Sequence, residues 1–367
     1  MPATAAIVGT GMAVPARILT NADLARMVDT NDEWIVSRTG IHERHVVADG
    51  QATSDLGAEA AAAALAHAGV AADEVDLVIL ATLSPDMLCP STACLVQHKI
   101  GAKRAAALDI AAACSGFVYG LSLARGAIAS GEAETVLLIG AEVTSRFVDW
   151  KDRATCVLFG DAAGAALLRP SAGGRGVLAT VLGADGGGAS LIEVSGGGSR
   201  HPASAESIAA GRHFLKLKGP DVFKAGVRSM SQAVTDVLAK CGLAQEDVAL
   251  LIPHQANRRI IDAVADSLKF PKERMFVNLD KYGNTSAATI PVALHEAVGQ
   301  GRVKRGDLIV TVGFDIAGFT ASDFAPWFRG SIRTWRRRGP VISIEASHIL
   351  APFPRLSLGR AIEQGSV

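Results

Sequence analysis

The sequence predicts an α/β protein in which one helix-and-strand unit is written twice, and three observations predict it. Runs rich in Val, Ile and Leu, "VDLVILAT" (75–82), "TVLLIGAEV" (135–143), "VALLIP" (248–253) and "DLIVTVGF" (307–314), alternate with helical patterns. Buried strands read this way when helices cover both faces of their sheet. "LAHAGVAADEVDLV" (65–78) matches "LAKCGLAQEDVALL" (238–251) at an offset of 173, with Leu65 on Leu238, Gly69 on Gly242 and Leu77 on Leu250. "ARGAIASGEAETVLLIGAE" (124–142) matches "HEAVGQGRVKRGDLIVTVGF" (295–314) at an offset of 170, with Gly131 on Gly301.

Taken in chain order, "MPATAAIVGTGMAVP" reads as a first strand and turn. Each later copy runs helix, glycine, strand, so the expected halves are residues 1–170 and 171–330. The seam between them, "RPSAGGRGVLATVLGADGGGASLIEVSGGGSRHP", is glycine-rich and predicts hairpins and a loop. Beyond 330 the periodicity lapses. Residues 331–367 carry arginines in excess of acids and read as a basic, flexible tail.

Composition excludes several functions. The chain has 367 residues, with 36 Lys plus Arg against 36 Asp plus Glu, so charge points to no nucleic-acid partner. Its alanine-built helical stretches, such as "EAAAAALAHAGV", fall well short of a membrane span. The histidines have no ligand-like spacing with cysteines or acids, so no metal is expected. The five cysteines are Cys89, Cys94, Cys114, Cys156 and Cys241, an odd set without a CxxC pair. With no basic region ahead of the first apolar run, the expectation is reduced thiols in a cytoplasmic protein. "VGTGMAV" (8–14) hints at a dinucleotide fingerprint, but its third glycine is missing and Pro15 interrupts the helix that should follow.

Three positions could carry chemistry. Cys114, in "DIAAACSGFVYG" (109–120), falls where a strand turns into a buried helix. A helix N-terminus there stabilises a thiolate, and the alanines keep bulk away from the sulfur. His254, in "LLIPHQANRRIIDAV" (250–264), follows a strand and precedes an amphipathic helix, at the sheet edge where α/β proteins bind ligands. Asn284, in "NLDKYGNTSAATIPVAL" (278–294), sits in a glycine turn before another helix. The offset of 170 sets Asn284 opposite Cys114 in the two copies. A thiol, an imidazole and a carboxamide suit acyl transfer through a thioester, the thiol as nucleophile and the other two as hydrogen-bond donors to an oxyanion.

On longer stretches the chain resembles the 3-oxoacyl-[acyl-carrier-protein] synthase III family. These are "NDEWIVSRTGIHERH" (31–45), "PSTAC" (90–94), "DIAAACSGFVYGL" (109–121), "FGDAAGAALL" (159–168), "HQANRRI" (254–260) and "YGNTSAATIP" (282–291). The resemblance covers about 1–320. It implies a thiolase-like fold of two duplicated α/β halves in a five-layered αβαβα arrangement, and a homodimer. It implies decarboxylative condensation of an acyl-CoA primer with malonyl-acyl-carrier protein, with no cofactor beyond acyl-CoA as substrate. The alternative is a specialised relative with a longer primer or a secondary-metabolite acceptor; a non-catalytic carrier-protein-binding homologue is the rival of another class. The resemblance also assigns roles: Cys114 as nucleophile, His254 and Asn284 as the decarboxylation pair, and Trp34, Arg38 and Arg153 at the CoA nucleotide. Gly219, Phe223 and Asn257 fall along the pantetheine tunnel, Lys224 and Arg259 in the patch that receives the carrier protein. Cys89 takes a place at the acyl pocket, where a small residue admits a longer primer, and Cys94, Cys156 and Cys241 are read as core thiols. In "VGFDIAGFTAS" (312–322) the chain departs from the family's glycine triplet, so the second oxyanion donor, expected near 313–318, rests on an altered loop.

Overall fold

The computed structural model describes residues 4–171, 175–304, 306–315 and 318–325. The basic tail predicted at 331–367 lies outside the described residues, as do Ile316 and Ala317. The described residues all fall within one compact unit, Met1–Arg329.

The strands of the two main sheets are β1 (Thr4–Ala13), β2 (Leu77–Ala81), β3 (Ala106–Ile110), β4 (Val136–Val143), β5 (Asp161–Ser171), β6 (Gly176–Gly183), β7 (Val248–Pro253), β8 (Leu308–Asp315) and β9 (Gly318–Ala325). The principal helices are α1 (Asp32–Thr39), α2 (Thr53–Ala68), α3 (Thr92–Lys99), α4 (Gly116–Ser130), α5 (Gly219–Cys241), α6 (Arg258–Leu268) and α7 (Thr289–Gly299). One sheet has the order β1-β5-β4-β2-β3 and the other β6-β9-β8-β7. In both, the last strand of the half runs antiparallel to its two neighbours, the first strand of the half and the strand just before it in sequence, and the remaining strands run parallel. The two copies thus repeat one topology. An isolated parallel bridge from Leu251 to Met275 stands where the second sheet would take the counterpart of β3.

Three apolar clusters stack these parts into five layers. Ala60, Ala64 and Val96 of α2 and α3 cover one face of the first sheet against Leu137, Ile139 and Leu167. Phe117, Leu121, Ile290 and Leu294 of α4 and α7 fill the centre, touching Ile79 and Leu138 on one side and Leu250 and Ile309 on the other. Val234, Val237, Val264 and Leu268 of α5 and α6 close the outer face of the second sheet. The strands rich in Val, Ile and Leu predicted this burial on both faces. No helix among the described residues is long and apolar enough to cross a membrane.

The register of the repeat differs from the reading at Asn284. α4 and α7 start at Gly116 and Thr289, and the single 3-10 turns ahead of them start at Ala113 and Ser286, so both pairs lie 173 apart. The counterpart of Cys114 is therefore Ala287, not Asn284. α4 has 15 residues and α7 has 11. The shorter helix carries the 170 offset of Gly131 and Gly301 only at its far end.

Close approach seats α7. Gly140 and Gly164 pair directly across β4 and β5. A Cβ at Gly164 would stand 2.7 Å from Val292 N and 2.8 Å from both Pro291 C and Pro291 Cβ. The two glycines leave a notch in the sheet into which the start of α7 drops.

Candidate active site

The turn before α4 raises Cys114 between the sheets. Ala113 takes a positive φ of 40° and Ser286 one of 48°, so both copies kink the backbone at the same place. The thiol of Cys114 donates to Ser286 Oγ at 3.7 Å, directly joining the two turns. α4 then leads away from Cys114, placing the positive end of the helix behind the sulfur.

His254 leaves the end of β7, its backbone N–H donating to Val312 O of β8 at 2.7 Å. Its ring is buried, and burial pushes its pKa down to about 3, so the imidazole is neutral. Thr289 Oγ1, at the start of α7, lies 2.7 Å from His254 Nδ1 and 3.0 Å from the Ser286 carbonyl oxygen. A hydroxyl has one proton, which goes to one of these two acceptors. Asn284 Oδ1 accepts from Ser286 N at 2.8 Å, which leaves the Nδ2 amide as the donor available to a ligand. Its backbone N–H donates to Leu158 O at 2.8 Å.

These groups face one cleft of about 620 Å³, lined by Cys114, His254, Asn284 and Ser286 at its floor. Trp34, Arg38, Gly219, Phe223, Lys224, Asn257 and Arg259 line it further out. Asn257 caps α6, accepting from Arg259 N at 2.8 Å and donating to Arg38 O at 3.1 Å. The guanidinium carbons of Arg38 and Arg153 lie 4.9 and 4.7 Å from the centre of the Trp34 ring, and that of Arg259 lies 5.9 Å from Phe223. Arg153 thus reaches the cleft through Trp34. The glycine-rich seam supplies a wall: Ile192 and Leu217, from the short paired strands Ile192–Glu193 and Lys216–Leu217, touch the same space.

Two cysteine readings change. Cys89 is exposed and does not line this cleft. It belongs to a surface segment with Met87 and Leu88, the latter 89% exposed. Cys94 is exposed rather than core, because α3 turns it toward Ser91 Oγ, at 3.1 Å, beside the edge strand β3. Cys156 is buried and Cys241 half-buried. Of the loop expected at 313–318, residues 313–315 end β8 and Gly318 begins β9, with Gly313 opposite Thr320 and Asp315 opposite Gly318, while Ile316 and Ala317 lie outside the described residues.

The sequence reading missed Glu142, Ser286 and Thr289. Glu142, next to last in "TVLLIGAEV" on β4, is fully buried directly behind the cleft floor. Its carboxylate accepts from Ser286 Oγ at 3.0 Å, Ser84 Oγ at 2.5 Å, Thr82 Oγ1 at 3.1 Å and Leu83 N at 3.2 Å. Burial pushes its pKa up to about 7 against the pull of these hydrogen bonds. An acid inside an otherwise apolar strand was the available signal, since charge in such a strand is almost always partnered.

Comparison with known proteins gives a consistent result. Family models described as 3-oxoacyl-[acyl-carrier-protein] synthase III, and as its C-terminal part, match residues 108–200 and 238–322. A beta-ketoacyl-[acyl-carrier-protein] synthase III of Symbiobacterium thermophilum is 54% identical over 308 residues, covering 84% of this chain and 93% of that protein. One from Roseiflexus castenholzii is 52% identical over 326 residues, covering 89% and 99%. The crystal structure of 3-oxoacyl-[acyl-carrier-protein] synthase III from Aquifex aeolicus superposes with a TM-score of 0.80 at 47% identity, over 88% of this chain and 99% of that one. With fold, motif order and near-complete coverage in agreement, this chain belongs to the 3-oxoacyl-[acyl-carrier-protein] synthase III family.

Proposed function

We propose that the protein condenses an acyl-CoA primer with malonyl-acyl-carrier protein, through an acyl-Cys114 intermediate, to give a 3-oxoacyl-carrier protein. The observation that carries this reading is the convergence of Cys114, His254 and Asn284 on one cleft, the sulfur at the start of a buried helix. Cys114 attacks the acyl thioester and CoA leaves. The malonyl thioester then loses carbon dioxide, and its enolate attacks the Cys114 thioester. Asn284 Nδ2 and His254 Nε2 hold the enolate oxygen. For His254 this requires the Thr289 hydroxyl to donate to Nδ1, so that the single proton of the neutral ring sits on Nε2. Asn284 needs no such choice, because Ser286 N already fixes its carbonyl side.

The entrance residues support the substrate reading. Trp34, with Arg38 and Arg153 beside it, offers an aromatic face and two cations to the CoA nucleotide. Gly219, Phe223 and Asn257 line the passage inward for pantetheine, and Lys224 and Arg259 form a local basic rim for the acidic carrier protein. The edge strand β3, with Leu108 partly exposed, supports a homodimer formed through this edge. Cys89 then acts at the acyl pocket only if the exposed segment around it is presented across that interface. The protein belongs in the cytoplasm on this reading, where acyl-CoA and carrier protein are held. No observation favours the specialised alternative.

The test is incubation with radiolabelled acetyl-CoA, peptide mass analysis, and a malonyl-carrier-protein condensation assay. The acetyl group is expected on the Cys114 peptide, and Cys114→Ala loses both label and condensation. A Cys114→Ala protein that condenses at the parental rate overturns the assignment.

A further inference from the structure

Glu142 is a fully buried carboxyl that the condensation described above does not use. All of its hydrogen-bond partners among the described residues are neutral: three hydroxyls and one main-chain amide. Among those residues no cation is paired with it, although an unpaired buried charge is costly. A carboxyl kept in such a place without a counter-charge is suited to gaining and losing a proton.

The polarity of the neighbouring bonds gives that proton a route. The Cys114 thiol donates to Ser286 Oγ at 3.7 Å, and Ser286 Oγ donates its one proton onward to Glu142 Oε1 at 3.0 Å. Ser286 accepts from one side and donates to the other, with the thiol at one end of the chain and the carboxylate at the other. Ser84 and Thr82 hold the second carboxylate oxygen, so Oε1 is fixed toward Ser286. Ser286 is in turn fixed by its left-handed backbone and by the bond from its N–H to Asn284.

We propose that Glu142 and Ser286 form a proton relay behind Cys114. As the sulfur attacks the acyl-CoA carbonyl, the S–H proton passes to Ser286 Oγ while the Ser286 proton passes to Glu142 Oε1. The sulfur–acyl bond forms, the bond from the acyl carbon to the CoA sulfur breaks, and the proton returns through Ser286 to the departing CoA thiolate. CoA leaves as its thiol, Glu142 is again a carboxylate, and no proton is gained or lost overall. Glu142 touches no reacting atom and acts only through Ser286.

The other titratable groups around Glu142 do not duplicate it. Asp161, on the adjacent strand β5, is turned to Val47 N and Ser145. Asp86, beyond Ser84, is bound by Ser54. His254 meets the same turn through Thr289 and is held neutral by burial. That leaves Cys114 and Glu142 as the pair joined by Ser286.

The inference rests on Cys114 as the nucleophile, and the experiment separates the two. The single-turnover rate of Cys114 acylation by acetyl-CoA is measured from pH 5.5 to 9.5 in the parent, Glu142→Gln and Ser286→Ala, with thermal melting of each. In the parent the rate is expected to rise through an inflection near pH 7, where Glu142 ionises, and then stay flat. Glu142→Gln loses the inflection, is about a hundredfold slower at pH 8, and speeds up only as the thiol itself ionises. Ser286→Ala gives the same profile and decides the matter if Glu142→Gln does not fold. Folded variants that keep the parental inflection, or that lose the same factor at every pH, overturn the relay. A parent protein with no label on Cys114 overturns the nucleophile assignment instead.

Discussion

Replacing Gly164 by alanine tests how the notch beneath α7 sets the active site. The new Cβ would meet Val292 N at 2.7 Å and Pro291 C and Cβ at 2.8 Å, all rigid atoms of the first turn of the helix. An ordinary contact needs about 3.5 Å, so the helix start must retreat by roughly 0.7 Å. Overpacking of this kind costs about 2 kcal/mol, or a fall in melting temperature of about 3 °C for a unit of this size. The same shift moves Thr289, which orients His254, and Ser286, which contacts Cys114. Misplacement approaching 1 Å at reacting groups costs up to about a hundredfold in rate. The assay is thermal melting of Gly164→Ala alongside steady-state condensation with malonyl-carrier protein. A variant that melts with the parent and condenses as fast would refute the claim that the glycine notch seats the catalytic turn.

Three further outcomes follow from particular contacts. Glu142 keeps its proton up to about pH 7 in the folded protein, whereas a carboxyl in the unfolded chain releases it near its ordinary value of 4.5. Its contribution to stability is therefore full below that ordinary value and is lost as pH rises through about 7. The loss is on the order of 3 kcal/mol, so melting followed by calorimetry from pH 5 to 8 is expected to be flatter in Glu142→Gln than in the parent. Thr289→Val removes the hydroxyl that orients His254; condensation is expected to drop about a hundredfold, with Cys114 labelling falling far less in rapid-quench measurements. Leu108→Asp puts a charge on the open edge of β3, and light scattering is expected to report a dimer for the parent and a monomer for the variant.

Much of this is legible in the sequence because burial on both faces leaves a plain signature. "TVLLIGAEV" and "VALLIP" have the pattern of inner strands, and both form them, as β4 and β7. Cys114, His254 and Asn284 each mark a strand-to-helix junction, and the fold brings all three to one cleft. The symmetry argument for pairing Cys114 with Asn284 fails by three residues, since a match made along a helix says nothing of where a shorter copy begins. Ser286 and Thr289 give no signal because hydroxyl residues in a turn usually satisfy local backbone, and only the fold reveals which nonlocal groups they meet. The exposure of Cys89 and Cys94 is hidden for a related reason: small neighbours fit an edge as well as a core.

The kinks at Ala113 and Ser286 have a consequence for how such a site could arise. Each half carries the same left-handed turn, so an ancestral half pairing with its own copy would have set identical turns face to face. Such a pair carries every residue twice, so a thiol after one kink brings a second thiol after the other, and a hydroxyl at one kink brings a second hydroxyl at the other. Joining the copies in one chain let one kink be followed by Cys114 while the other became Ser286. Division of labour, rather than stability, is what a single fused polypeptide gains over two equal subunits.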